Sequence, residues 1–384
     1  MALIQGFSKS LKWLLGSALV LVFFLQGTGL INLSLLTSLE GNAADLRLTS
    51  TLKGGIDPRI VIVDIDEKSL EKYGQWPWNR HYLAQLVNTL FDHYHIRVLG
   101  SDIVFAEPAG IDFLPIEKEL KARSDVSSRV KKALAFEALQ DEALAHALTD
   151  RAVTLGIFFN QAIASKLNTL PKSITQLEDE THQALSLPKP LGYTANLDRF
   201  NQASPRSGFF DNPVVDLDGR FRRVPLFQSY QGQLFPSLAL SVAQQALGNP
   251  EIDIQLVAQG DFLAITAIQL GHRVIATDQS GAVQIPFRGP EGSFPYISVA
   301  DILDRSIELE ALNDKIILLG TSAPGLLDLR ATPVDESMPG VEVHANIIAG
   351  ILDQNIPQQP AYLIAVQSIG YLLPHKEIEY PINN

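Results

Sequence analysis

A chain of 384 residues is long enough for one large folded domain or two ordinary ones, and its formal net charge of −12 disfavours nucleic acid and anionic lipid as partners. Hydrophobic residues make up 46% and charged residues 19%, which suits a folded domain plus membrane sequence and argues against disorder. The chain has no cysteine, so disulfides, thiolate catalysis and cysteine-ligated zinc are excluded.

Lys9 and Lys12 precede an uncharged stretch from Trp13 to Leu39. That stretch is long enough to cross about 30 Å of hydrocarbon. The lysines favour a cytoplasmic N-terminus and an exported remainder. The alternative is a cleaved signal peptide, but signal cores usually run about 7–15 residues and end in small residues at the cut site. Here the apolar span is longer, and Asn42-Ala43-Ala44 lies well beyond it. Residues 1–12 are therefore read as cytoplasmic. Residues 13–39 are read as an uncleaved, single-pass anchor in the inner (plasma) membrane, and residues 40–360 as one exported, periplasmic domain.

Glu40 to Lys53 reads as a polar, helix-compatible stalk. Ile60-Val61-Ile62-Val63 is a β-branched run, the pattern of a strand buried on both faces in a parallel sheet. Asp64, Asp66 and Glu67 break the run, and Asp66 is placed to cap a helix near Ser69. Apolar residues Leu83, Leu86, Val87, Leu90 and Phe91 predict a helix over Arg80–His93. Val98 to Phe105 predicts the next strand, which again leads into acids at Asp102 and Glu107. This strand–helix–strand unit places carboxylates at the carboxyl ends of parallel strands, the edge where ligands sit in open α/β sheets. In the intervening loop, Trp76 and Trp78 either cover the core edge or wall a pocket.

Further on, Ala109 to Arg129 reads as a polar insertion and Val130 to Leu148 as a helix. Ala152 to Phe159 is a third buried strand, so strand and helix alternate as in α/β proteins. Asn160 to Arg206 shows little periodicity and reads as a long surface excursion. From Phe209 to Pro286, turn signals at Asp218-Gly219, Gln231-Gly232, Gly260 and Ser280-Gly281 predict antiparallel strands, interrupted by a helix from Leu238 to Leu247. Another helix is predicted near Val299–Asp304. Lys315 to Gly320 is the last buried strand, and a final helix follows Met338-Pro339-Gly340 and ends near Leu352. The fold class is thus α/β: a mainly parallel sheet with flanking helices and an antiparallel insertion, preceded by a transmembrane helix.

Several strings together resemble one bacterial family. They are Gly74-Gln75-Trp76-Pro77-Trp78-Asn79-Arg80, Gly100-Ser101-Asp102-Ile103-Val104-Phe105-Ala106-Glu107-Pro108, Asp218-Gly219-Arg220-Phe221-Arg222-Arg223-Val224-Pro225 and Pro236-Ser237-Leu238-Ala239-Leu240. The pattern is similar to a type-two CHASE domain, a cyclase- and histidine-kinase-associated sensory extracellular domain, and it covers roughly residues 40–360. The resemblance implies an anchored sensor that binds an unknown extracellular signal and relays it to an output enzyme. It does not supply the ligand. The expected partners are the membrane, the signal, and either a second copy of the chain or a separate signalling protein. The match fades after Pro360. Ala361 to Leu373 is apolar but shorter than the roughly 20 residues of a spanning helix. Residues 361–384 are accordingly read as a partial membrane segment and tail, with no room for a cyclase or kinase and one membrane span in all.

Asp64-Ile65-Asp66 after an apolar strand resembles the paired carboxylates of magnesium-dependent phosphatases, which makes an exported phosphatase-like hydrolase the alternative function. Lys68 departs from that pattern. A structural envelope protein is a third reading. Thr321-Ser322 reads as a polar strand exit whose amides either meet an anion or close a plain turn. His344 starts the last helix and is expected to face the sheet edge, as a core-edge hydrogen-bonding group or a ligand contact. Arg222, Arg223 and Arg330 are expected to pair with the acidic strand ends. No Walker loop, dinucleotide fingerprint or zinc motif is present, so no cofactor, metal or catalytic residue is assigned. The candidate ligand-binding residues are Asp66, Trp76, Arg80, Asp102, Glu107, Thr321, Arg330 and His344. They are expected to gather at one end of the sheet.

Overall fold

The computed structural model describes residues 33–109, 140–259, 262–323 and 328–357, and part of 11–25. The predicted insertion from Gly110 onward, the first half of the Val130–Leu148 helix, the Gly260 turn and the tail beyond Pro360 lie outside the described residues. The predicted anchor over 13–39 includes residues 19, 23 and 26–32, which also lie outside them. Among the described residues no helix is long and apolar enough to cross a membrane.

An eight-stranded sheet forms the centre. Its strands are β1 (Ile60–Asp64), β2 (Val98–Ser101), β3 (Val153–Asn160), β4 (Lys166–Leu167), β5 (Gly192–Thr194), β6 (Ser207–Phe209), β7 (Tyr296–Ser298) and β8 (Ile316–Gly320). The spatial order is β7-β1-β8-β2-β3-β5-β4, with β6 also paired to β3. The four predicted buried runs are therefore direct neighbours, and all their pairings are parallel. Register aligns Ile60 with Ile316 and Ile316 with Val98, so the carboxyl ends of β1, β8 and β2 lie side by side.

The β-branched runs occupy the middle because both of their faces are covered. Ile60, Ile62, Ile316, Leu318 and Val98 point into one core, and Val61, Val63, Ile317, Leu319 and Leu99 into another. The first core is closed by α4 (Leu238–Ala246) and α6 (Gly340–Asp353). The second is closed by α2 (Glu67–Tyr73), α3 (Arg80–Asn88), helical residues 140–148 and α5 (Val299–Leu303). The predicted Arg80–His93 helix is present, but its last turn, Thr89–His93, widens into a π-helix.

Two predicted features differ. Ser207–Phe209 does not belong to the antiparallel part; it pairs parallel to β3 in the central sheet. A three-residue strand carries no periodicity to show which sheet it joins. The 160–206 stretch is not wholly a surface excursion either, because it returns as β4 and β5 and buries Ala195, Asn196 and Phe200. The Asn196 amide explains the burial of so polar a segment: its Oδ1 accepts from Phe105 N at 2.7 Å and its Nδ2 donates to Gly156 O at 2.8 Å. The antiparallel insertion holds a three-stranded sheet, Ile252–Gln259, Phe262–Leu270 and Arg273–Ala276, and a hairpin of Phe227–Tyr230 with Gln233–Pro236. That hairpin turns through Gln231 and Gly232, both at positive φ, as a two-residue turn requires.

The predicted stalk is a helix, α1 (Ser34–Ser50), and it is docked. Leu48 and Leu52 pack on the first core. Asp45, 7% exposed, accepts from Arg220 Nη1 at 2.9 Å and from Arg222 Nε and Nη2 at 2.7 and 2.9 Å. Arg222 also pairs with Asp216 and Asp218, and Arg223 with Asp216 and Asp278. These two arginines thus serve the α1 dock and its flanking turn rather than the central strand ends, a correction to the sequence reading. The acids that claim them, Asp45 and Asp216, are nearer in space than the strand ends are. Replacing Asp45 with alanine is expected to cost about 2–3 kcal/mol, below the range for breaking a buried pair because Arg222 keeps two acids. The check is faster amide exchange confined to α1, together with a lowered unfolding midpoint.

Candidate functional site at the carboxyl edge of the sheet

Several polar side chains gather where β1, β2 and β8 end. Asp64, the last residue of β1, is buried and accepts from the backbone N–H of Ser322 at 2.7 Å and from the Ser322 hydroxyl. The anion met by the Thr321-Ser322 turn is therefore the protein's own Asp64. Burial pushes the Asp64 carboxyl above its ordinary range, against the pull of the two Ser322 donors. Asp66 caps α2 as expected, accepting from Ser69 N at 2.9 Å, Ser69 Oγ at 2.6 Å and Ser298 Oγ at 2.8 Å. Ser69 Oγ also accepts from Ala300 N at 3.1 Å. One carboxylate and two hydroxyls thus tie the starts of α2 and α5 together. Both members of the Asp64–Asp66 pair are committed to internal hydrogen bonds.

A cavity of about 300 Å³ opens beside them. It is lined by Asp102, Phe158, Phe210, Asp211, Thr321, Asp328, Arg330 and the first residues of α6, Gly340 and Val341. Asp102 and Thr321 directly follow β2 and β8, so strand register brings them together. Gly320 lets α6 approach: a Cβ there would stand 2.8 Å from Val341 Cβ. Thr321 Oγ1 donates to Ile65 O at 3.2 Å. Arg330 pairs with Asp328, and its guanidinium lies over the Phe221 ring, 5.0 Å from the centroid. It therefore does not pair with a strand end as the sequence reading expected, because Asp328 is two residues away. Asp211 accepts from Phe159 N and from Gln228 Nε2, each at 2.8 Å.

Asp102 differs from its neighbours. Its side chain is 13% exposed and has no hydrogen bond among the described residues. Burial, with the negative Asp328 nearby, pushes its carboxyl up to about 7 in spite of Arg330. His344 Nε2 is 4.0 Å from its Oδ2, too far for a hydrogen bond. His344 is 5% exposed, and its Nδ1 also lacks a partner among the described residues. Burial and Arg330 push His344 down to about 4, so at neutral pH it is uncharged and the two groups form no ion pair. Asp211 is pushed up to about 6 by burial.

Four of the eight predicted residues thus meet: Asp102, Thr321 and Arg330 in the cavity wall, and His344 behind Asp102. The other four do not join them. Asp66 is the double cap. Arg80 forms a separate buried cluster, with Nη2 donating to Glu107 O at 3.0 Å, Nε 3.5 Å from Asp141, and its guanidinium over Phe105 at 4.8 Å. Glu107 contributes that carbonyl while its side chain is exposed. Trp76 packs edge-on against Trp78 at 5.7 Å beside the second core, so the tryptophan pair covers the core edge. Sequence reasoning missed Phe158, Phe210, Asp211 and Asp328 as cavity residues. Asp328 lay in the same loop as Arg330, but nothing near Asp211 signalled its position. A larger depression of about 560 Å³, which includes His81, His93 and His146, is lined by none of the eight.

The last helix connects this edge to the opposite one. Glu342, 0% exposed in the first turn of α6, accepts from Gly292 N at 3.2 Å, Ser293 N at 2.9 Å and Tyr296 Oη at 2.8 Å. At the far end, roughly 20 Å away at 1.5 Å per residue, Asp353 accepts from Arg59 Nη1 at 2.7 Å and Lys53 Nζ at 3.1 Å. Lys53 follows α1, and Arg59 immediately precedes β1.

The CHASE2 domain model matches residues 17–373. The chain belongs to the CHASE2 family. The match is wider at both ends than the 40–360 span of the sequence resemblance. At its start it takes in part of the apolar N-terminal stretch. No curated protein and no solved structure matches the chain. CHASE2 domains are extracellular sensory domains, and the mainly parallel sheet with flanking helices is the form that domain takes here.

Proposed function

We propose that this CHASE2 chain is a membrane-anchored, periplasmic sensor that binds a small signal molecule in the Asp102 cavity. One observation carries the reading. The cavity is walled by the start of α6 and by two strand ends, and the far end of α6 is ion-paired to the segment joining α1 to the sheet. Occupancy that favours one position of α6 therefore changes the Asp353 pairs with Lys53 and Arg59. From there it reaches α1, which continues from the apolar N-terminal stretch. A relay of this kind requires the ligand to bind one of two arrangements more tightly. The receiving partner is a second copy of the chain or a separate signalling protein. A phosphatase-like hydrolase using Asp64 and Asp66 gains no support, since Ser322, Ser69 and Ser298 occupy those carboxylates.

The anchor rests on Lys9, Lys12 and the uncharged Trp13–Leu39 stretch. Topology reporters fused after Gly55 and after Gly248 are expected to report the exported side. A cytoplasmic signal from both would contradict a periplasmic sensor.

A further inference from the structure

We infer that the carboxyl-edge cavity takes a small organic ammonium ion, held by the Asp102 carboxylate with its apolar part against Phe158 and Phe210. The inference rests on the sensor reading and adds the ligand class.

Most polar groups in the cavity wall have little left to offer a ligand. Three acids, Asp102, Asp211 and Asp328, face one cation, Arg330, so the lining is acidic overall. Arg330 is occupied by Asp328 and by the Phe221 face. Asp211 already accepts one hydrogen bond at each oxygen. Thr321 spends its proton on Ile65 O. Asp102 alone has an acceptor pair with nothing donated to it among the described residues, in a wall that leaves it 13% exposed. His344, 4.0 Å away, is a buried neutral ring beyond hydrogen-bond reach. A carboxylate in that position lacks a donor carrying positive charge. An ammonium supplies both, and charge-assisted bonds of this type are the strong ones.

The remaining wall favours an organic cation over a bare ion. Phe158 and Phe210 sit with ring centroids 5.9 Å apart, and an aromatic face attracts an ammonium or packs its alkyl stem. Among the described residues no group of His, Asp and Glu side chains is arranged to hold a metal. A volume of about 300 Å³ suits a small molecule.

The test uses the full-length chain in detergent micelles and three probes with one skeleton and three charges: phenethylammonium, phenethyl alcohol and phenylacetate. Phenethylammonium is expected to bind, and the alcohol and the anion at least tenfold more weakly. Asp102→Asn should weaken phenethylammonium at least tenfold. Arg330→Gln, which removes the repelling cation, should strengthen it a few-fold. Binding should tighten about tenfold between pH 6 and pH 8, because it requires the ionised form of a carboxyl whose midpoint is about 7. The charged and titratable groups facing Asp102 are His344 from α6, Asp328 and Arg330 from the preceding loop, and Asp211 after β6; Asp211, pushed up to about 6, lies at the lower end of that window, and His344, pushed down to about 4, lies below it. Equal or tighter phenylacetate or alcohol binding that still depends on Asp102 would overturn the cation and leave the sensor cavity standing. Phenethylammonium binding indifferent to Asp102→Asn, or no binding of it at about 10 mM, which is under about 3 kcal/mol of affinity, overturns the inference.

Discussion

Replacing Asp102 with asparagine is expected to stabilise the folded domain by about 2–4 kcal/mol at pH 7.5 and to leave it unchanged near pH 4. The folded carboxyl, at about 7, lies above the ~3.9 of an unfolded aspartate. Between those values the folded chain holds a proton that the unfolded chain has released. Stability therefore falls as pH rises through that window, and the neutral amide removes the fall. His344 works in the opposite sense. Its folded value of about 4 lies below the ~6.5 of a free histidine, so its contribution rises with pH up to about 6.5 and offsets Asp102 over that range. Urea titrations at both pH values, followed by the fluorescence of Trp76 and Trp78, read the difference. A variant less stable than wild type at pH 7.5 would show that Asp102 is a structural acceptor and not an unsatisfied acid. A side chain that costs stability where it stands is what a binding residue looks like before its ligand arrives.

The second large effect is at the other acid of the α6 start. Glu342→Ala is expected to cost about 3–5 kcal/mol, because it takes the acceptor from the buried Ser293 N–H and from the part-buried hydrogen bonds of the Gly292 N–H and the Tyr296 hydroxyl. Glu342→Gln, which keeps an acceptor of the same reach, should cost about 1–2 kcal/mol. The denaturation midpoints of the two variants decide it. Equal losses would mean that the charge matters and the hydrogen-bond count does not. Asp102 and Glu342 are thus both partly or wholly buried acids at one edge, yet opposite in energetic sign. Glu342 has three donors and Asp102 has none among the described residues.

Much of the fold was readable from residue type. Ile60–Val63, Val98-Leu99, Val153–Leu155 and Ile316–Leu319 are β-branched or aliphatic on both faces, and only a covered parallel sheet accepts such runs. The site was half readable by the same rule, since Asp102 and Thr321 directly follow the strands that two of those runs open. His344 was legible as a residue near the start of a helix that had to return to that edge. The rest depended on contacts that leave no local trace. Asp64 meets Ser322 across 258 residues. Asp211 reaches the cavity because Ser207–Phe209 joins β3, a pairing three residues long. Arg80 and Asp66 looked like site residues because they stand at helix starts beside the sheet edge. Asp66 serves as a cap there, and Arg80 is bound by Glu107 and Asp141.

The most direct test of the sensory cavity is a thermal-shift screen of a small-molecule library against the full-length chain, run in parallel on wild type and on Asp102→Asn, Thr321→Val and Phe210→Ala. A bound ligand at about 100 times its dissociation constant adds about 2.7 kcal/mol, enough to move the midpoint by several degrees. Compounds that raise the wild-type midpoint are expected to lose at least tenfold affinity in one or more of the three variants. Compounds that stabilise all four proteins equally would place the sensory site elsewhere on the domain and contradict the Asp102 cavity as its seat.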